Sequence, residues 1–409
     1  MKKIIAIVAG LLLTACQTTE QPIAETKPVE VTTAYTIPDR FEFDAAAYRQ
    51  TMHSTWFMPM RSRNSKGVLE RGACLETLLT DDINIAAPCV KGLEFGVHSA
   101  LFDDERMSPQ RVGFFFERVV PFVIENDAWL NGSADSGYAR DMQGFYMAYA
   151  LYGDVYGVSD EMDTRVGKHF ERFAARAMDQ DHRNYSRCAK NFPATLEQML
   201  KQRPQESIRQ CSNSAAAEWI KLYTAMGIVA KRPDFVDEAF RRLDSFVASS
   251  FEGGITDQAM RSGDAAGYLM QTGEHLDDTL YMMHHYLGVD VWNRASGRWN
   301  NTPGMIMEYN LRVMHDHTIN IEYARVKDVI RGRNHHECCA ENANWKSNDS
   351  NRNDPAEIRK NLHSYSVGMA YSVQRIGDPE LSRWIRPTNK SQVWRSFNSF
   401  YNKIVAKKL

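Results

Sequence analysis

The sequence predicts an all-α protein, arranged as a helical toroid or an α-solenoid. Apolar side chains recur at helical spacing through much of the chain, as in the segments 219–229 and 235–251. A short turn at 231–234 joins these two segments, and Asp234 is a candidate cap of the second helix. Alternating strand patterns are scarce, and 319–326 is one of few candidates. Many helices joined by loops are typical of both architectures.

Aromatic residues are abundant in the predicted helices. Phe, Trp and Tyr make up 11% of the chain. Because flat rings stack on sugar faces, this content suits a carbohydrate cleft, but aromatic side chains also fill helical cores. One predicted helix repeats them at three- and four-residue intervals: Tyr138, Phe145, Tyr146, Tyr149 and Tyr152. Further helical segments are 114–123, 275–287, 362–376 and 391–405.

The first residues match an export signal. Lys2 and Lys3 precede an apolar run, 4–13, that is too short to span a bilayer as a helix. The segment 13–16, Leu-Thr-Ala-Cys, has the order that lipoprotein signal peptidase reads. We therefore expect residues 1–15 to be removed and Cys16 to carry the lipid that anchors the protein to a membrane. The alternative is an ordinary signal peptide in which the cysteine falls by chance.

A tether and one domain are expected to follow the signal. Residues 16–38 are rich in Thr, Glu and Pro without an apolar period, which is typical of a flexible linker. Residues 39–409 are long enough for one large helical domain or two lobes, and we assign them to a single domain. Gln17 after the cysteine is similar to Gram-negative lipoproteins of the outer membrane, so we expect the domain in the periplasm or at the cell surface.

The charge balance argues against a nucleic-acid partner. The chain has 49 Lys and Arg against 51 Asp and Glu, a formal net charge of −2. Nucleic-acid-binding domains are typically basic. We expect a monomer without a cofactor.

The cysteines agree with export. Once Cys16 carries lipid, six of the seven cysteines remain, and an even number in an oxidising compartment favours disulfides. Cross-pairing stays open, because six cysteines allow many connectivities. The expected local pairs are Cys74 with Cys89 and Cys188 with Cys211, while Cys338 and Cys339 pair with each other or elsewhere.

Two segments in the middle of the chain resemble one enzyme family. Residues 211–240 read CSNSAAAEWIKLYTAMGIVAKRPDFVDEAF: a polar opening, a small-residue apolar helix, a basic turn and another helix. Residues 253–268 read GGITDQAMRSGDAAGY, a Gly-bearing turn with an arginine and a tyrosine seven residues apart. In this order the segments resemble the alginate lyases that fold as an incomplete α/α toroid. The resemblance spans about 127–293.

The resemblance implies β-elimination of an acidic, uronate-containing polysaccharide such as alginate. By position, Tyr268 is the acid/base, Arg261 holds the substrate carboxylate and Asn213 neutralises it. The family's histidine falls on Ala215, and two apolar residues replace the His and Asn that follow the family's tyrosine. Each of the three residues also has a structural alternative: a core tyrosine, a surface ion pair and a helix N-cap.

These residue types suit the reaction. Elimination removes the proton next to a carboxylate, so the site needs a carboxylate neutraliser, a base and an acid for the leaving oxygen. Asn and Arg suit the first role. Tyr268 suits the other two if a nearby cation such as Arg261 lowers its pKa.

Other residues are candidates for the missing imidazole and for further sugar contacts. His275 lies on the segment after the tyrosine and could replace the imidazole, although a lone histidine is usually structural. A second group of basic and polar residues could form the opposite wall of the cleft. It comprises Arg331, Arg333, Asn334, His335 and His336.

Three alternatives stay open. The segments 315–317 and 335–339 are rich in metal-ligand types, but their spacing matches no standard zinc pattern, so we assign no metal. A lipid-anchored toroid without the histidine could bind polysaccharide in a capsule or exopolysaccharide system without cutting it. A toroid glycoside hydrolase would need two carboxylates. The available carboxylates are Asp127, Asp135, Asp141, Asp264, Glu274, Asp277 and Asp278.

Overall fold

The computed structural model confirms the all-α prediction for the residues it describes. These are residues 34–41, 113, 116–117, 120–125, 136–153, 156–191, 212–260, 265–315, 319 and 366–382. Within these ranges helices dominate and no strand occurs. The arrangement of the helices as a toroid stays a prediction.

Nine α-helices are named here in chain order among the described residues. They are α1 (Val120–Glu125), α2 (Ser136–Tyr152), α3 (Asp160–Asn191), α4 (Ser214–Val229), α5 (Pro233–Ala248), α6 (Ala265–His285), α7 (Pro303–His315), α8 (Ala370–Ile376) and α9 (Pro379–Ser382). Two 3-10 helices, Asp257–Met260 and Ser366–Met369, precede α6 and α8. The predicted strand at 319–326 lies outside the described residues apart from Ile319, as does the predicted helix at 391–405.

Helices α4 and α5 form an antiparallel hairpin with a tight connection. Gly227 lies where a Cβ atom would fall 2.6 Å from Cγ2 of Val236, so the two backbones approach closely. The second helix begins at Pro233, because proline suits the first helical position, where no N–H bond is required. The predicted cap at Asp234 is wrong: this residue lies in the first turn and pairs with Arg232 at 2.6 Å.

Helices α4 and α6 run in the same direction side by side. The backbone N–H of Asp257, in the 3-10 helix that leads into α6, donates to Ser212 Oγ at 3.0 Å, just before α4. Further along, Lys221 Nζ of α4 lies 2.6 Å from Asp278 Oδ2 of α6.

The far ends of the two helices also lie near each other, because the Tyr35 hydroxyl donates to the carbonyl of Pro233, shortly after α4, and the N–H of Thr36 donates to the carbonyl of Leu287, shortly after α6. The two helices are therefore parallel. The N-terminal ends of α4 and α6 therefore lie on the same side of the helix pair.

Helices α2 and α3 meet through an aromatic core. The ring of Tyr146 contacts Phe170, and its hydroxyl lies 2.7 Å from His169 Nδ1. The hydroxyl of Tyr149 donates to the buried carboxylate of Asp163 at 2.8 Å, and Arg40 pairs with the same carboxylate. Burial of these polar atoms is tolerated because they are hydrogen-bonded to one another.

The chain before the helices packs on them from Tyr35 onward. The Tyr35 hydroxyl donates to Asp237 Oδ1 at 2.8 Å, and the Phe41 ring meets the edge of Tyr286 at 4.8 Å. The backbone N–H of Thr36 donates to the carbonyl of Leu287 at 3.4 Å. These contacts begin four residues ahead of position 39, the domain start expected from composition.

None of the helices in the described ranges is both long and apolar enough to cross a bilayer.

The close approach of α4 and α5 makes Gly227 a packing position. We expect Gly227→Ala to lower the free energy of unfolding by about 1–3 kcal/mol, because the methyl group overpacks Val236 and its backbone nitrogen. Urea unfolding followed by circular dichroism measures this change.

Gly144 in α2 is the matched control, since no described atom lies within 4 Å of the position that an added methyl group would take. Gly144→Ala should raise the free energy of unfolding by about 0.5–1 kcal/mol, because alanine loses less conformational entropy in a helix. Equal effects of the two substitutions would show that helix propensity, not packing, decides both.

Candidate functional site

The parallel alignment of α4 and α6 brings two of the candidate residues to the same end of the helices. Asn213 immediately precedes α4, and Tyr268 is the fourth residue of α6. Counting back from the contact between Lys221 and Asp278, Asn213 is level with the first turns of α6. Ala215, at the position of the family's histidine, is exposed at this end.

Asn213 is the N-cap of α4. Its backbone is extended, and its Oδ1 accepts a hydrogen bond of 2.8 Å from the backbone N–H of Ala216. Such caps stabilise a helix by about 1 kcal/mol. The bond also fixes the orientation of the side-chain amide, whose nitrogen is the group that would donate to a substrate carboxylate.

Tyr268 is half-buried at the start of α6. Its carbonyl accepts a hydrogen bond of 2.8 Å from the Thr272 hydroxyl, one turn further along the helix. The ring is therefore carried by a regular helix and remains partly accessible.

A buried ion pair joins the middle parts of α4 and α6. Lys221 and Asp278 are 13% and 2% exposed at their side chains. His275 lies one turn before Asp278 on α6, and its Nδ1 is buried without a hydrogen-bond partner among the described residues. Burial, together with the charge of Lys221, lowers the pKa of His275 to about 3. The imidazole is therefore neutral at pH 7 and does not act there as a cation for a carboxylate.

Asp277 has a structural role. Its Oδ1 accepts a hydrogen bond of 2.7 Å from the backbone N–H of Ser372, in the first turn of α8. Burial raises the pKa of Asp277 well above its usual range, with the neighbouring charge of Asp278 acting in the same direction. Because Asp277 and Asp278 are 0% and 1% exposed, neither carboxylate is accessible to a glycosidic bond in this conformation. These two residues are therefore excluded as the catalytic carboxylates of a glycoside hydrolase.

The repeated aromatic residues of α2 belong to the core. The structure thus favours core packing over sugar stacking for the ones whose side chains it describes. Phe145, Tyr146, Tyr149 and Tyr152 are all 0% exposed.

The remaining candidates lie outside the described residues or side chains. Among the described residues, no group of three or more His, Cys, Asp or Glu could hold a metal ion. The outlying candidates are Arg261, Arg331, Arg333, Asn334, His335, His336, Cys16, Cys74, Cys89, Cys188, Cys211, Cys338 and Cys339.

A surface cleft adds a second candidate site that the sequence did not indicate. It has a volume of about 560 Å³ and lies between the loop before α7, α7 itself and the end of α8. Trp292, Glu308, Arg312, Arg375 and Asp378 contribute to its walls. These residues come from segments far apart in sequence, so no local sequence motif predicts the cleft. The sequence feature that comes nearest to indicating a binding site here is Trp292 next to Asn293.

Comparisons with protein families, with curated proteins and with solved structures found no match to this chain.

The neutral state of His275 predicts a pH dependence of stability. The folded-state pKa of about 3 lies below the unfolded value of about 6.5, so the unfolded chain binds a proton first as the pH falls. Stability is therefore lost from about pH 6.5 down to pH 3. Between about pH 7 and pH 4.5, the wild type should lose about 2.5 kcal/mol more of its free energy of unfolding than His275→Gln does.

Urea unfolding of both proteins at the two pH values measures this difference. The titration of Asp277 is present in both proteins and cancels to first order in the comparison. Parallel loss of stability in wild type and variant would contradict a neutral His275 with a buried Nδ1 atom.

Proposed function

We propose that the protein is a lyase that cleaves an acidic, uronate-containing polysaccharide by β-elimination. The observation that carries the proposal is the parallel packing of α4 and α6, which puts Asn213 and Tyr268 at one end of two adjacent helices. The resemblance of both segments to the toroid alginate lyases supports the same assignment. The toroid itself is part of this proposal, supported by the alternation of direction from α4 to α5 to α6.

The proposed roles follow from the chemistry of each group. Asn213 donates its side-chain amide to the substrate carboxylate and stabilises the charge that develops there. Tyr268 removes the proton and returns one to the leaving oxygen. Arg261 is the proposed cation that binds the substrate carboxylate. With Ala215 and a neutral His275, the site works without an imidazolium.

A second candidate function is binding of an acidic polysaccharide without cleavage. One observation favours it: at pH 7 neither Ala215 nor His275 supplies the charge that neutralises the carboxylate in the family. A binding protein needs only hydrogen-bond donors and cations. Measurement of cleavage alongside binding separates the two functions.

The lyase proposal predicts a strict requirement for the Tyr268 hydroxyl. The chain from Gln17 onward should produce the ultraviolet absorbance of an unsaturated uronate from at least one polymer in a panel that includes mannuronate, guluronate and galacturonate polymers. Tyr268→Phe should lower the rate at least about a hundredfold, because it removes the acid/base group.

Tyr286→Phe is the matched control, since Tyr286 is also half-buried but follows the far end of α6. It should retain activity. Saturable binding of a polymer without any rise in absorbance would instead support the binding function, and equal activity of Tyr268→Phe would rule out its assigned role.

The proposed location is the outer membrane of a Gram-negative bacterium, through a lipid on Cys16. We expect Cys16→Ser to abolish incorporation of labelled palmitate and to move the protein from the membrane fraction to the soluble fraction. Cys74→Ser serves as the control cysteine. Unchanged labelling of Cys16→Ser would overturn the lipid anchor.

A further inference from the structure

The cleft beside Trp292 contains an arginine held in place from two sides. Arg375, near the end of α8, donates to Asp290 Oδ2 at 2.8 Å, and its guanidinium lies 5.4 Å from the Trp292 ring centroid. Asp290 also accepts a bond of 3.0 Å from the Trp292 backbone N–H. Only one guanidinium nitrogen of Arg375 is hydrogen-bonded within the described residues. The others are pre-positioned donors at the cleft wall.

A second arginine pairs with a carboxylate on α7. Arg312 donates through two nitrogens to a single oxygen of Glu308, at 2.8 and 2.6 Å. The other oxygen of Glu308 accepts no hydrogen bond from the described residues. Both side chains are accessible, at 50% and 43%. The pair therefore offers donors and an acceptor next to each other.

The cleft also has an apolar part built around Trp292. Gly304 lies where a Cβ atom would fall 2.5 Å from the indole Nε1, so only glycine lets the ring lie against the start of α7. Met305, one residue later, is 36% exposed although it is large and apolar. Ile376 and Pro379 line the same cleft. Apolar carbon and charged planar groups are thus combined in one concave surface.

The charges on the described part of the cleft lining are balanced. Among the described residues, the lining has two arginines, Arg312 and Arg375, and two carboxylates, Glu308 and Asp378. Asp290 further neutralises Arg375, and despite its partial burial the bonds from Trp292 and Arg375 keep its pKa below the usual range. The described lining carries no net positive charge and therefore gives no electrostatic preference for a polyanion.

We propose that this cleft binds a saccharide through the hydroxyl groups of a neutral sugar ring. Each sugar hydroxyl both donates and accepts, and adjacent hydroxyls match the paired donors and acceptors of Arg312 and Glu308. The C–H face of the ring packs on Trp292 and its apolar neighbours. The volume of about 560 Å³ lies within the range of small-molecule sites.

This site is separate from the end of α6 that carries Tyr268. Asn310 of α7 faces α6, because its side-chain nitrogen lies 3.4 Å from the carbonyl of Leu269. Glu308 is two positions away on the same helix, about 200° around the axis. The two surfaces lie on opposite faces of α7, so the proposal does not depend on the lyase assignment.

Isothermal titration of the chain from Gln17 onward tests the proposal. The probes are trisaccharides of glucose, mannose, galactose and mannuronate. The first three are neutral and cannot undergo uronate elimination. At least one neutral trisaccharide should bind, with a Kd that changes less than about twofold between low and high ionic strength. Arg312→Gln should weaken binding at least about tenfold.

Arg241→Gln is the matched control. Arg241 is 52% exposed, lies on a helix and pairs with Glu238, but it belongs to α5 and not to the cleft. It should leave the Kd unchanged. Gly304→Ala is a second cleft variant, and it should also weaken binding because the added methyl group displaces Trp292.

The proposal is overturned if no neutral trisaccharide binds, or if both cleft variants bind as tightly as the wild type. Equal weakening by Arg241→Gln would also overturn it, since the effect would then not be local. Selective, salt-sensitive binding of the mannuronate trisaccharide would show an anion site instead. None of these outcomes depends on whether Tyr268 supports elimination.

Discussion

The buried ion pair between Lys221 and Asp278 fixes the relation between the two central helices. The side chains of Lys221 and Asp278 are 13% and 2% exposed, and the loss of one partner from a buried ion pair is strongly destabilising. The helix around Lys221 is otherwise strongly apolar, and apolar surfaces alone allow helices to slide against each other. One charged contact at a defined position therefore sets the register of α4 on α6. The ends of the helices, with Asn213 and Tyr268, take their relative positions from it.

One face of α6 also positions α8. Gly273, Asp277 and His284 follow one another at helical spacing. Gly273 leaves room for Met369, Asp277 binds the backbone of Ser372, and His284 Nδ1 lies 2.9 Å from the Tyr371 hydroxyl. These contacts hold α8, and α8 carries Arg375 to the cleft. A substitution at the ion pair of Lys221 and Asp278 would thus shift residues at both candidate sites.

The charge states around α6 separate structural from chemical roles. His275 is neutral and Asp277 has a raised pKa because both are buried, and the charge of Lys221 is already balanced by Asp278. Asp277 and Asp278 are 0% and 1% exposed, so these carboxylates are not accessible to a substrate. The groups that remain for chemistry lie at the helix ends and on the surface. In the two proposals, the helix end acts on an acidic sugar, and the cleft holds a neutral one.

The amino-acid sequence was sufficient to predict the helical class and the two helices α4 and α5 within a few residues, and it gave a helix cap as one of two possible roles for Asn213. These features depend on neighbours within one or two turns, which periodicity and capping patterns record. It left the aromatic residues of α2 undecided, because core packing and sugar stacking require the same side chains. Their burial is evident from the packing of α2 in the folded protein.

The roles of His275, Asp277 and Arg375 likewise depend on contacts between residues far apart in sequence. Asp277 meets Ser372 across 95 residues, and Arg375 meets Asp290 across 85. Burial and partners at such distances set the pKa of a histidine, turn a carboxylate into a helix cap and hold an arginine in a cleft. No local pattern encodes them, because they arise only when α6, α7 and α8 come together.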